Sequence, residues 1–292
     1  MTWAQRWRWW RERRRVHPPN DAHRAGELAE QRLARLCRAA GKANGWRVFE
    51  SLRIPDLEQG GKREIDLVIL GGDVLLVVEQ KHWSGRFSIT PENTLLQHRN
   101  NGTEHDHGGV AQRIERKARM LASMIPDVDL TVEVVLAFTH PSLTWPDDVD
   151  RLGPTVVDER GMIQRLEGER PGPINDRALA VLESLGTWDE VIMNGGLSKK
   201  GDVLDMGLGE DVNRWLARSP APVEIAVHHR RGILSMMSAT PTKAKLERGG
   251  EGMDLTLPST ATVRMHVVGQ TSPETVMWSQ INDVHLSGHR HG

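Results

Sequence analysis

Apolar and polar positions alternate along this chain with a period that changes from helical to extended and back. Ala25, Leu28, Ala29, Leu33, Leu36 and Ala40 recur at helical spacing, which predicts one amphipathic helix capped by Asn20 or Asp21 and ending by about Ala40. WRVFESLRI then reads as a strand, rich in aromatic and β-branched residues. The polar loop PDLEQGGK leads into the hairpin EIDLVILGGDVLLVVEQKHWSG, residues 64–85, and GRFSIT follows as a further short strand. Residues 91–109 are polar and predict a long structureless surface loop.

A second helical stripe, Val110, Ile114, Ala118, Leu121 and Ile125, is followed by LTVEVVLAFT, an apolar run of the kind buried on both faces of a sheet. PTVVD reads as one more strand, with helices at about 159–167 and 174–186. The pattern predicts an α/β layered domain, a central sheet flanked by helices. Beyond Gly186 the character changes. MNGGLSKKGD reads as a link, a short helix falls near 209–217, and VEIAVHHRRGILSMM, TKAKLER, MDLTL, TVRMHVVG and TVMWSQINDVHL read as strands of a smaller β-rich domain. The expected division is a basic segment at 1–19, an α/β domain at 20–198 and the β-rich domain at 199–292.

The hairpin carries three charges on otherwise apolar strands, and charges on buried strands are rare unless paired or bound to something. A two-residue turn at Gly71-Gly72 would pair Leu70 with Asp73 and set Asp66 opposite Val77. Side chains alternate with period two, so Asp66, Glu79 and Lys81 are expected on one face, with Asp66 diagonal to Glu79. Two nearby carboxylates raise each other's proton affinity unless a cation compensates, and Mg²⁺ (or Mn²⁺) is the natural hard partner. Lys81 would then sit beside an attacking water or a developing negative charge, the arrangement of phosphodiester hydrolysis. The same three charges also fit a salt-bridged sheet edge.

Composition narrows the classes. The single cysteine, Cys37, rules out a disulfide framework and a cysteine-based zinc site, and with no apolar leader at the start a cytoplasmic protein is expected. No apolar run reaches the roughly 20 residues that cross a bilayer. Net charge is −1, yet residues 1–15 hold six arginines against one glutamate. Attraction to a polyanion, or contact with a membrane surface, is therefore expected to concentrate in this Trp/Arg segment, which otherwise reads as a frayed tail or a docking arm. Residues 200–292 balance ten basic against ten acidic side chains, so the β-rich domain is expected to self-associate or dock a partner rather than bind substrate. Glu104-His105-Asp106-His107 has the donors for a metal but, set in a polar loop, reads as solvated.

Asp66, a glycine turn and Glu79-Gln80-Lys81, in that order, resemble the D-(x)n-E-x-K core of the PD-(D/E)XK nuclease superfamily. More narrowly, the hairpin with its closing Trp83-Ser84-Gly85 resembles the nuclease-related domain, NERD. Gly26-Glu27-Leu28-Ala29-Glu30 is similar to that family's opening G-x-x-G-E helix, and GGVAQRIERKARML to its N-P-x-x-Q helix, with Gly108-Gly109 in place of Asn-Pro. The resemblance covers about residues 20–186. It implies a PD-(D/E)XK-like mixed sheet and a metal-dependent nuclease acting on DNA ahead of RNA, with family analogy extending to defence against foreign nucleic acid. It implies Asp66, Glu79 and the Gln80 main-chain carbonyl as metal ligands, Lys81 as the residue assisting water and Glu30 as the supporting acid. Gln112, Lys117 and Trp83 follow as nucleic-acid contacts. The rival expectation is a non-cleaving module on the same fold that binds nucleic acid, a membrane surface or a partner.

Overall fold

In the computed structural model, which describes residues 3–18, 21–125, 128–219, 221–229, 242–258 and 260–288, the hairpin lies at the centre of a mixed five-stranded sheet. Its strands are β1 (Arg47–Pro55), β2 (Lys62–Gly71), β3 (Val74–Lys81), β7 (Thr131–Phe138) and β8 (Thr155–Asp158), in that spatial order. The first three pair antiparallel, while β3, β7 and β8 run parallel. Helices α2 (Asp21–Lys42) and α4 (Glu159–Gly168) cover one face; α3 (Val110–Ser123) and α5 (Asp176–Ser184) cover the other. The strands alternate between these layers. Leu67, Ile69, Leu76 and Val78 pack with Leu33, Cys37 and Met162, while Val68, Leu70, Leu75 and Val77 pack with Ile114, Ala118 and Leu182. Both faces are buried, so the hairpin reads as a continuous apolar run.

The stripe on α2 is rotated from its expected position. Ala29, Leu33, Ala34, Cys37 and Ala40 are buried, whereas Leu28 is 55% exposed and Ala25 is exposed. The capping role expected of Asn20 lies outside the described residues. Residues 91–109 are not a structureless loop. They contribute β5 (Leu95–His98) and β6 (Glu104–Asp106), which with β4 (Arg86–Ile89) form a small antiparallel sheet. Side-chain bonds fix it: His98 Nε2 meets Ser88 Oγ at 2.9 Å, and His98 Nδ1 meets Glu104 Oε1 at 3.0 Å.

Contacts divide the chain into two compact units, one of them Ala22–Leu185 and the other Gly186–Gly292 together with Met1–Asp21. The second unit is an eight-stranded antiparallel sheet of β9 (Asp189–Met193), β10 (Ser198–Asp205), β11 (Val223–His228), β12 (Thr242–Arg248), β13 (Glu251–Leu257), β14 (Thr262–Val267), β15 (Glu274–Met277) and β16 (Ile281–Leu286). Val212 and Trp215 of α6 (Glu210–Ala217) join its core. MNGGLSKKGD, expected as a link, is instead the tip and second strand of a hairpin, with Ser198 opposite Ile192 and Gly201 opposite Asp189. Of VEIAVHHRRGILSMM, residues 230–237 lie outside the described residues.

The N-terminal segment is a docking arm rather than a frayed tail. Helix α1 (Trp3–Arg13) ends with Arg13 fully buried and donating to Thr242 Oγ1. Asn194 Nδ2 donates to the Arg13 carbonyl at 3.2 Å, His17 N–H to the Asn194 carbonyl at 2.6 Å, and Leu197 N–H to the His17 carbonyl at 3.0 Å. Gly195, at φ 97°, leaves room for this strap; a Cβ there would sit 2.5 Å from Val16. Trp3 and Trp7 remain exposed.

Candidate active site

The sequence places Asp66 and Glu79 on one face of the hairpin, and the structure sets the register that brings them together. Leu67 pairs with Val78 and Gly71 with Val74, so the turn is Gly72-Asp73 rather than Gly71-Gly72. Gly72 takes φ 55°, and Gly71 stays in the strand, where a Cβ would sit 2.3 Å from Trp46 and 2.5 Å from Pro171. This shifts the expected pairing by two residues. The parity survives, and the register continued one step past Leu67–Val78 sets Asp66 opposite Glu79 instead of diagonal to it.

The ladder is interrupted at Asp66. No pair joins it to Ser51 on the β1 side, although Glu50–Leu67 and Leu52–Ile65 flank that position. Ser51 adopts φ 49°, a left-handed conformation costing a non-glycine residue roughly 1–2 kcal/mol. Beyond Leu67–Val78 the Gln80 N–H donates to Asp66 Oδ2 at 2.7 Å. The carboxyl is thereby held at the point where the strands part.

Two ammonium groups converge on Glu79. Lys81 Nζ donates to Oε1 at 2.8 Å, and Lys117 Nζ of α3 donates to Oε2 at 2.6 Å. Lys117, expected as a nucleic-acid contact, is thus ion-paired with Glu79. Its neighbour Arg116 fixes the helix, forking onto the buried Asp56 carboxylate at 2.9 and 2.6 Å; Asp56 also accepts from the Gln59 N–H and from Arg63. These donors hold the Asp56 carboxyl far below the usual carboxylate range.

Burial, then the neighbouring Glu79 charge, raise the Asp66 carboxyl to about 7, with Lys81 and Lys117 opposing. Burial also works against an ionised Glu79, but the two lysines outweigh it and hold that carboxyl below its ordinary value. Lys81 is desolvated as well, yet Glu79, Asp66 and, more weakly, Glu30 raise it. Glu30, half-buried on α2, therefore acts on the cluster through its charge. Gln80 turns its buried side chain away, Nε2 donating to Thr139 Oγ1 at 3.1 Å. Gln112 is exposed and is not brought to the cluster. Trp83 is half-buried, stacked on His107 with ring centres 3.6 Å apart and tilted against Phe138.

A group whose proton affinity rises on folding stabilises the folded state at low pH and loses that contribution as pH climbs to its folded value. Metal-free protein is thus expected to lose up to about 1.4 kcal/mol per pH unit from Asp66 between about pH 4 and 7. Glu79 has the opposite sign and acts only in more acidic solution. Urea denaturation at stepped pH checks this, and Asp66→Asn should flatten the slope.

Among the described residues no group of three or more His, Cys, Asp or Glu side chains is placed to hold a metal ion. A cation here would rest on two carboxylates, with main-chain, water and substrate oxygens completing its shell, which is the usual economy of Mg²⁺. The donor set is of the right kind for such an ion: Asp66 and Glu79 offer hard carboxylate oxygens, and a divalent cation would take over charge that Lys81 and Lys117 now balance on Glu79.

Residues 25–139, which hold the central hairpin with its paired acids and lysine, match the family model of the nuclease-related domain. That segment is a nuclease-related domain, which implies a nuclease-related function and nucleic-acid binding. Comparison with curated proteins and with solved structures gives no match. Among the described residues no helix is long and apolar enough to cross a membrane.

Proposed function

We propose that the unit Ala22–Leu185 hydrolyses phosphodiester bonds in nucleic acid, DNA ahead of RNA, with Mg²⁺ or Mn²⁺ held by Asp66, Glu79 and the main-chain carbonyl of Gln80. The observation that carries this reading is the convergence of Asp66, Glu79, Lys81 and Lys117 at the parting of β2 and β3. Bound there, the cation supplies an activated water and neutralises charge on the phosphate. Lys81 orients the water and stabilises the charge that builds as the bond breaks. Lys117, the second ammonium on Glu79, meets a non-bridging phosphate oxygen, and Glu30 keeps Lys81 protonated. The C-terminal unit, with its balanced charge, serves self-association or partner docking.

A second reading has one observation in its favour: both Glu79 oxygens are taken by lysines, a closed ion-pair cluster that suits a non-cleaving binder. Purified full-length protein assayed with Mg²⁺ on labelled linear DNA separates the two. Lys81→Ala is expected to slow cleavage by about a hundredfold. Cleavage undiminished in that variant would defeat the assignment, and absence of both cleavage and carboxylate-dependent Mg²⁺ uptake would favour the binder.

A further inference from the structure

A column of rings that the cluster does not use runs from Phe138 of β7 to His105 of β6. Phe138, opposite Lys81 in the β3–β7 pairing, lies 5.6 Å from Trp83. Trp83 stacks on His107 at 3.6 Å with 14° between planes, and His107 stacks on His105 at 4.5 Å with 1° between planes. His105 is exposed. The column therefore runs from the core to solvent and ends in an imidazole with one face already stacked inward.

Its inner members are fixed. Gln97, opposite His105 in the β5–β6 pairing and buried, donates through Nε2 to the Ser84 carbonyl at 2.8 Å, which leaves its Oε1 to accept from His107 Nε2 at 3.0 Å. That assigns the His107 proton to Nε2. Burial first, then His105, Arg99 and Lys81, lower His107 to about 4, so it is a neutral ring at physiological pH. Because Phe138 is the register partner of Lys81, the inner end of the column starts next to the charged cluster. An aligned stack whose inner rings are fixed and whose last ring lies at the surface is a base-stacking platform.

We infer that the outer face of His105 stacks an unpaired nucleobase of the substrate, so that the site takes single-stranded nucleic acid or a strand with a displaced base. The inference rests on the nuclease reading and specifies its substrate class. A paired base offers no free face to a lateral ring, whereas a splayed base does. Stacking is tolerant of sequence, so the preference is for strandedness.

The test uses full-length protein in EDTA, where cleavage is suppressed, and fluorescence anisotropy with three probes: a single-stranded oligonucleotide, the same strand with several abasic sites, and its duplex. Wild type is expected to bind the intact strand about tenfold more tightly than the abasic strand. His105→Ala should bring that ratio close to one, and His105→Phe should restore it. Equal binding of intact and abasic strands by wild type, or an undiminished ratio in His105→Ala, overturns the platform. Mg²⁺-dependent cleavage measured in parallel keeps the two readings apart. Cleavage that persists without base discrimination sinks the platform and leaves the nuclease standing, whereas no binding and no cleavage sinks both.

Discussion

Replacing Glu79 by alanine is expected to slow metal-dependent hydrolysis by at least on the order of a thousandfold and to shift the titration of Asp66 downward. The first effect follows from position. Glu79 is the carboxylate across the strand from Asp66, and without it a cation would have one side-chain ligand. The second follows from charge: the neighbour's negative charge is, after burial, the main reason that Asp66 stands near 7. With that charge gone, Lys81 and Lys117 turn to Asp66, which then ionises more readily. Breaking a buried ion pair costs about 3–5 kcal/mol when one partner is stranded. Here the lysine side chains keep 23% and 18% exposure and Asp66 can take over as counter-ion, so a loss of about 2 kcal/mol is expected. Urea denaturation measures the stability, and carbon-detected NMR follows the Asp66 carboxyl. A titration that stays near 7 in Glu79→Ala would show that the two acids do not share one site.

The parts of this site differ in how far the sequence reveals them. The shared face of Asp66, Glu79 and Lys81 is legible because strand side chains alternate strictly, and a two-residue slip of register leaves parity untouched. The slip itself is not legible. It is decided by Trp46 and Pro171 crowding Gly71, a contact between residues far apart in the chain. Lys117 on Glu79 depends in the same way on the rotation of α3, which Arg116 and Asp56 help to set. The sheet at 91–109 is not legible because that segment offers only two large apolar side chains, Leu95 and Leu96, and polar side chains tie its strands together. One signal was present: His105 and His107 stand two apart, the spacing that puts two side chains on the same side of an extended chain. The rotated stripe on α2 reflects a packing preference for Ala34 and Cys37 over the larger Leu28, which hydropathy alone ranks the other way.

The N-terminal arm is where composition misleads most, and Arg13→Ala is expected to show it by destabilising the C-terminal unit by about 3 kcal/mol. Six arginines in the first fifteen residues read as a solvated polycation, yet the fourth of them is fully buried and hydrogen-bonded to Thr242. Burial lowers its pKa to about 10, so the guanidinium is still charged at neutral pH and its desolvation is a standing cost. Truncation to alanine leaves a cavity in the sheet unit and a Thr242 hydroxyl without this donor, and it loosens a strap otherwise held by Asn194 and Leu197. Arg13→Met retains most of the volume and removes the buried charge, so its loss should be about 1 kcal/mol or less. Chemical denaturation followed by hydrogen exchange resolves which unit is affected: amides of β9 and β16 should lose protection in Arg13→Ala, while those of β2 and β3 keep theirs. Equal losses for the alanine and methionine variants would mean that the charge, not the packing, is what the sheet requires. A full-length protein whose stability does not respond to either change would return the arm to the status of a tail, leaving all six arginines available to a polyanion.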